Sequence, residues 1–419
     1  MDQHPFVRPS VSVPRISAHI FVESDGVKAL CESVLTDRRL ANANATIQSG
    51  GLATAVSRYA HEPTPSLLVI EGSQIGAEFM AGLDQLASAS DPTTRLIVLG
   101  HVNDVEVYRE LLSRGISDYL VAPFTVSRMI QAILDLYAEP SQRDIGRTIA
   151  VMGARGGIGA SAVAFNLAHA LGERSRSETV LVDFDLPFGT AALSLDQEPT
   201  EGLDVALDAP ERLDTTLVER LLLRCSEHLS LFSAPLDLDI DPNRNPAAYQ
   251  QVVNVIKSLA PNVVLDLPRH WTPWQRDVLI HADEIVLVAG CDLVSLRNAK
   301  VLYNFLVGER PNDPAPKLVL NQVGLHGRNE LQASVMTESL DIEPCVTIPC
   351  DSGLYFKSMM TSKPVATINA SAPAAIAFNT LAETLAGFRT PGAAKKSGSM
   401  QGLFEAIKKK ALANVWNAA

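Results

Sequence analysis

Between residues 153 and 161 the chain reads GARGGIGAS. Gly153, Gly156, Gly157 and Gly159 lie between a short apolar run, Ile149 to Met152, and a segment with helical spacing, Val163, Leu167, Ala170 and Leu171. A strand, a glycine turn and a helix in that order aim several backbone N–H groups and a helix N-terminus at one spot. That spot suits a phosphate. Ser161 opens the helical segment, and its hydroxyl is a natural ligand for Mg²⁺ beside a bound phosphate. A standard phosphate loop places a lysine just before this Ser/Thr; Ala160 stands there instead.

Other residues that can do chemistry follow at intervals. TVLVDFDLPFG, residues 179–189, is a strand that ends in Asp183 and Asp185. NVVLDLPRHWTPWQRDVL, residues 262–279, begins with a buried strand ending at Asp266, which can hold a magnesium-bound water. For Asp183 two roles stand open, a magnesium ligand or a hydrogen-bond partner of the glycine loop. Asn321 and Pro349 end two later strands, where they can frame a base. A glycine loop alone is a weak signal. The loop, a D-x-D strand and a strand-terminal Asp in this order are much stronger.

These residues need a sheet to bring them together. The chain has 419 residues, more than one ordinary domain, with 47% apolar and 20% charged residues. From Ile16, strand-like runs alternate with helical segments: SAHIFVES then Val27–Leu40, ATIQSG then Leu52–His61, SLLVIEG then Gly76–Ser88, TRLIVLG then Val105–Arg114, and DYLVAPF then Val126–Tyr137. The same alternation resumes after residue 147, with one strand, LSLFSAP, expected within residues 190–260. The fold class is therefore α/β, with two doubly wound parallel-sheet domains, and such sheets bind ligands at the carboxyl ends of their strands. The expected division is a flexible lead at 1–16, a first domain at 17–138, a linker at 139–147, a second domain at 148–388, a linker at 389–400 and a basic amphipathic helix at 401–419. RPNDPAP, before Lys317, reads as a loop within the second domain.

The net charge of −12 argues against a general nucleic-acid binder. The cysteines at 31, 225, 291, 345 and 350 form no CxxC pair or Cys/His cluster, so a reducing cytoplasm is expected and a metal centre is not. No signal peptide or spanning segment is expected. From residue 389 onward, six basic residues accompany one acid, and Leu403, Phe404, Ile407, Ala411, Val415 and Trp416 share a helical stripe. That stripe suits an anionic membrane surface, a partner or the chain's own domain.

The first domain resembles the receiver domains of two-component response regulators. The resemblance sets Glu23 and Asp25 at the family's acidic pair, Glu71 at its phosphoacceptor Asp, Gly100 at its Thr/Ser and Ala122 at its Lys. It implies a pseudo-receiver that is not phosphorylated, with Glu71 as a permanent charge or a solvated strand-end acid. An unrelated flavodoxin-like domain is the alternative.

The second domain resembles the deviant Walker A ATPases of the ParA/MinD class. That resemblance implies ATP and Mg²⁺ as cofactors, held by Gly153, Arg155, Gly156, Gly157, Ile158, Gly159, Ala160, Ser161 and Ala162, with Ser161, Asp183 and Asp266 on the metal side. Arg155 matches the lysine with which this class reaches the partner's phosphates in a homodimer, and Ala160 its Walker lysine. Asp185 matches the residue that orients the attacking water, and Asn321 and Pro349 the adenine contacts. The pairing of the two domains, GGIGAS, and DLPRHWTPWQRDVL together resemble the CpaE/TadZ pilus assembly proteins over roughly residues 17–388. This implies a cytoplasmic, polar hub for the Flp-type (Tad) pilus secretion machinery and its motor ATPase, peripheral on the inner membrane if the C-terminal stripe binds lipid. With Ala160 in place of lysine, the expectation is ATP binding with slow or absent hydrolysis. A DNA-partitioning ATPase and a nucleotide-free scaffold are the competing readings.

Overall fold

The structure is a computed structural model that describes residues 13–137, 146–241, 244–327 and 329–386. The expected C-terminal amphipathic helix, both linkers except residues 146–147, and most of the lead lie outside the described residues. Among the described residues no helix is long and apolar enough to cross a membrane.

The first unit holds β1 (Ile16–Val22), β2 (Ala43–Ser49), β3 (Leu67–Gly72), β4 (Arg95–Gly100) and β5 (Asp118–Val121), in the order β2-β1-β3-β4-β5. All four pairings are parallel, the order shared by flavodoxin-like and receiver folds. β3 is buried at every residue, as a central strand covered by helices on both faces must be. The helix Val126–Tyr137 has the expected bounds. The first helix is shorter than its apolar spacing suggests, ending at Leu35. Asp37 then accepts the Arg39 N–H and starts a separate 3₁₀ turn at Arg38–Leu40.

The second unit holds β6 (Arg147–Gly153), β7 (Thr179–Asp183), β8 (Leu223–Arg224), β9 (Leu229–Phe232), β10 (Asn262–Leu267), β11 (Glu284–Ala289), β12 (Lys317–Val323) and β13 (Val346–Pro349). Their order is β13-β12-β11-β6-β10-β7-β9-β8. All pairings are parallel except that of the two-residue β8, which runs antiparallel to β9 at the edge. Residues 190–260 thus contain two strands, not one, because a two-residue edge strand has no periodicity to read.

β6 lies between β10 and β11, so the glycine loop leaves the middle of the sheet. The helix Ala160–Ser175 follows it and buries Val163, Leu167 and Leu171, while Ala164 and Ala168 let it approach the sheet closely. Truncating a buried leucine such as Leu167 to alanine costs about 2–5 kcal/mol. Trp274 is a core residue, stacked on Tyr249 at 4.0 Å and tilted against Phe184 at 5.7 Å. Trp271 remains half exposed, edge-on to Phe305.

The loop 310–316 does more than connect elements of its own domain. Asp313 pairs with Arg38 (2.7 Å) and Arg39 (3.1 Å) of the first unit and with Arg310 (3.2 Å) of its own. Asn312 donates to Asp37 at 3.0 Å, and its carbonyl accepts the Ser127 hydroxyl at 2.6 Å. Arg310 donates to the carbonyls of Ala282 and Asp283. The Asp283 carboxylate in turn holds Lys257 and both the N–H and hydroxyl of Thr148, on the strand that carries the glycine loop. A buried polar chain therefore runs from the receiver-like unit to the base of β6.

Candidate functional site

The glycine loop is shaped by close approaches that side chains would block. A Cβ at Gly159 would lie 2.7 Å from the Asn321 amide nitrogen, and Gly159 has φ +82°, where L-residues are strained. Gly157 has φ +70°. The first internal bond of the following helix runs from Val163 N–H to the Gly159 carbonyl at 3.0 Å. The amides of Ala160, Ser161 and Ala162 lie ahead of it, in the first turn, where N–H groups have no intrahelical partner. Ile158 points the other way, buried in the core.

Two consecutive amides brace the loop from β12. Asn321 donates to the Ile158 carbonyl at 2.7 Å and Gln322 to the Gly157 carbonyl at 3.1 Å. Neighbours on a regular strand point to opposite faces. Here the pairing register shifts between Leu320 and Val323, and Gln322 takes φ +58°, so both amides turn to the loop. Asn321 is buried, and one N–H of its amide is committed to the loop. Pro349 ends β13 opposite Val323, on the strand beyond β12.

The three aspartates divide their work. The Asp183 carboxylate accepts the N–H groups of Asp185 (3.2 Å) and Ala191 (3.0 Å), so it organises the turn after β7 and not the glycine loop. Gly189 makes that possible, because a Cβ there would lie 2.5 Å from Asp183 Oδ2. Ser161 lies close enough to Asp266 to favour its charged form, yet the Asp266 Oδ1 is buried without a partner among the described residues. Asp185 Oδ1 is likewise buried and unpartnered.

Electrostatics follow from this crowding. Burial, then the neighbouring Asp183 and Asp185 charges, push the Asp266 carboxyl well above the usual range. Burial pushes Asp183 up to about 6 against the N–H groups that it accepts, and burial raises Asp185 against the Phe188 N–H and His270. The site lacks positive charge where a Walker lysine would stand. Orphaned acidic oxygens beside a serine hydroxyl fit a hard divalent cation. The described residues offer no group of three His, Cys, Asp or Glu side chains set to cage a metal. Magnesium needs no such cage, since it keeps waters and substrate oxygens as ligands.

Arg155 is not free to roam. Its Nε donates to Asp292 Oδ2 at 3.0 Å and its Nη1 to the Gly156 carbonyl at 3.0 Å. Asp292 is fixed by its other task, capping the helix Leu293–Glu309 through Ser295. Beside this pair lies a cavity of about 500 Å³, lined by Leu293, Val294, Asn329 and Leu331. Asp292, Gln322 and Asn298, whose amide donates to the Ala154 carbonyl, belong to no motif in the sequence. Only Asp292 left a signal, an N-cap aspartate three residues before Ser295 at the end of an apolar strand.

In the receiver-like unit, Glu71 is neither solvated nor displayed. It is 1% exposed, and its carboxylate accepts the N–H groups of Glu23 (2.7 Å) and Ser24 (3.0 Å) and the Ser24 hydroxyl (2.6 Å). The longer side chain folds back into the acidic turn that follows β1 and closes it.

No family model matches the chain. An uncharacterised protein of Mycobacterium tuberculosis is 33% identical over 184 residues, which is 42% of this chain and 49% of that protein. The chain thus spans about half the length of the curated relatives it matches. Among solved structures, a ParA family ATPase from Chlorobium tepidum matches with TM-score 0.53 and 22% identity, over 58% of this chain and 99% of its own. With the glycine loop at the centre of a parallel sheet, this makes the second unit a P-loop NTPase fold of the ParA/MinD kind. A pilus assembly protein CpaE from Caulobacter crescentus is 39% identical over 98% of its solved chain and 31% of this one, with TM-score 0.30. On that identity, the chain belongs to the CpaE family of pilus assembly proteins.

Proposed function

We propose that this chain is an ATP-binding assembly factor for a pilus secretion machinery, acting as a polar hub through an ATP-favoured homodimer, with slow or absent hydrolysis. The observation that carries the reading is the pairing of Ala160 with buried, unpartnered oxygens on Asp266 and Asp185. The loop amides from Gly156 to Ala162 would hold the phosphates. Ser161 and Asp266 would hold Mg²⁺, which neutralises phosphate charge when bound, and Asp185 would orient a water. Phosphoryl transfer is catalysed mostly by positioned charge, so loss of one cation slows it by roughly 10²–10³. Nucleotide held and not consumed is a structural signal.

The dimer draws support from Leu293 and Val294, which are 70% and 57% exposed beside Arg155. A second copy on this face would cover them and bring its phosphates to Arg155. Light scattering on the full chain with ATP, ADP or no nucleotide tests this. ATP alone is expected to double the mass. A turnover of ordinary ATPase speed, or a mass that ignores ATP, would contradict the proposal.

A further inference from the structure

Ala160 leaves the phosphate loop short of a cation, and the described residues contain two arginines that touch the loop. One, Arg155, has its charge answered by Asp292. Drawing it away costs an ion pair whose acid is tied to a helix cap and cannot follow. The other is Arg269, three residues beyond Asp266 in the turn after β10. Its Nε donates to the Ala154 carbonyl at 3.4 Å. Its terminal nitrogens make no hydrogen bond or ion pair among the described residues, and the side chain is exposed.

The turn is anchored at both ends. Asp266 is the penultimate residue of a strand buried at all its residues. At residues 272–275 Thr272 and Gln275 form a capping box, and Gln275 also donates to the Pro268 carbonyl at 2.6 Å. Arg269 therefore stands on a fixed base with an uncompensated guanidinium, in a site where Asp183, Asp185 and Asp266 crowd together. A guanidinium presents a planar fork of donors that matches phosphate oxygens.

We propose that Arg269 supplies to bound triphosphate the cation that Ala160 withholds. The inference rests on the nucleotide-binding reading above and assigns to the DLPRHW turn a role in it. Arg269 lies in the same chain as the loop, so it can act before any second copy arrives, whereas Arg155 first has to leave Asp292. The order of engagement is Arg269 on nucleotide entry and Arg155 on dimerisation.

The test titrates fluorescent ATP and ADP analogues, with Mg²⁺, against the full chain and its Arg269→Gln and Arg269→Lys variants. Glutamine can still bond the Ala154 carbonyl but carries no charge. Arg269→Gln is expected to weaken ATP about ten- to hundredfold, as loss of a charged hydrogen bond does. ADP should weaken less, and the gap between wild type and variant should narrow as salt rises. Lysine should retain most of the ATP affinity. Equal affinities of wild type and Arg269→Gln would overturn the inference while leaving nucleotide binding intact. So would an equal loss for ATP and ADP that ignores salt, since that marks a structural role through Ala154. A wild-type chain that binds neither analogue would overturn the nucleotide reading itself.

Discussion

Arg39 of the first unit and Asp313 of the second form an ion pair of 3.1 Å with each side chain less than a tenth exposed. Breaking a buried pair by removing one partner typically costs about 3–5 kcal/mol, because the other charge stays buried. Asp313→Asn removes the acid that Arg38, Arg39 and Arg310 share. It should lower stability by about that amount and split one denaturant transition into two, one per domain. Asp37 strengthens the same joint: burial alone would raise its carboxyl, but Arg39 holds it down at about 2. Its contribution is present above the unfolded carboxylate range and is lost only as pH falls toward 2. A variant with wild-type midpoint and slope would mean that the joint does not form in solution.

The buried aspartates set an opposite pH dependence. Asp183, Asp185 and Asp266 all titrate above their unfolded values. Between the unfolded range near 3.9 and these raised values, the folded chain binds more protons than the unfolded one. Stability without ligand therefore falls as pH rises through that window and stays lower above it. Asp266→Asn should raise ligand-free stability at about pH 7.5 by roughly 1–3 kcal/mol, flatten this slope, and abolish Mg²⁺-dependent nucleotide binding. Thermal melts across pH, with and without Mg²⁺, read all three effects. A destabilised Asp266→Asn would count against the crowded-acid account.

Glu71 closes the receiver-like site with its own carboxylate. Glu71→Ala strands the N–H groups of Glu23 and Ser24 and should cost about 2–3 kcal/mol. Neither wild type nor Glu71→Asp should gain a phosphoryl group from acetyl phosphate, because Gly100 and Ala122 supply no hydroxyl or ammonium to the site. Intact-mass measurement checks this, and a phosphorylated wild type would overturn the pseudo-receiver reading.

Ala160 is the residue whose reversal should add function. Ala160→Lys is expected to raise the hydrolytic rate by roughly 10²–10³, the usual worth of one electrostatic donor in such a site. Phosphate release under saturating ATP measures it. An unchanged rate would show that the missing lysine is not what limits turnover.

The architecture was legible because parallel strands are buried on both faces and read as apolar runs between helices. β10 and β3 are buried at every residue, and both stood out in the sequence. The glycine loop and strand-end aspartates were legible for a related reason, since strand ends place them on one edge. Pairings between distant residues were not. Nothing near Asp313 marks it as the partner of Arg39, 274 residues earlier, so RPNDPAP read as an internal loop. The bulge that turns both Asn321 and Gln322 to the glycine loop leaves no periodic trace in seven residues of β12. The burial of Glu71 was hidden too, because an acid at a strand end reads as solvated until the turn it closes is known.

On the proposed reading, the glycine loop holds nucleotide through a magnesium-dependent acid site despite Ala160. Titration of the full chain with fluorescent ATP, in the presence of Mg²⁺ and then of a chelator, tests it most directly. Saturable binding is expected with Mg²⁺, weakening at least about tenfold without it, a difference of about 1.4 kcal/mol. Absence of binding in either condition, or binding indifferent to Mg²⁺, would contradict it.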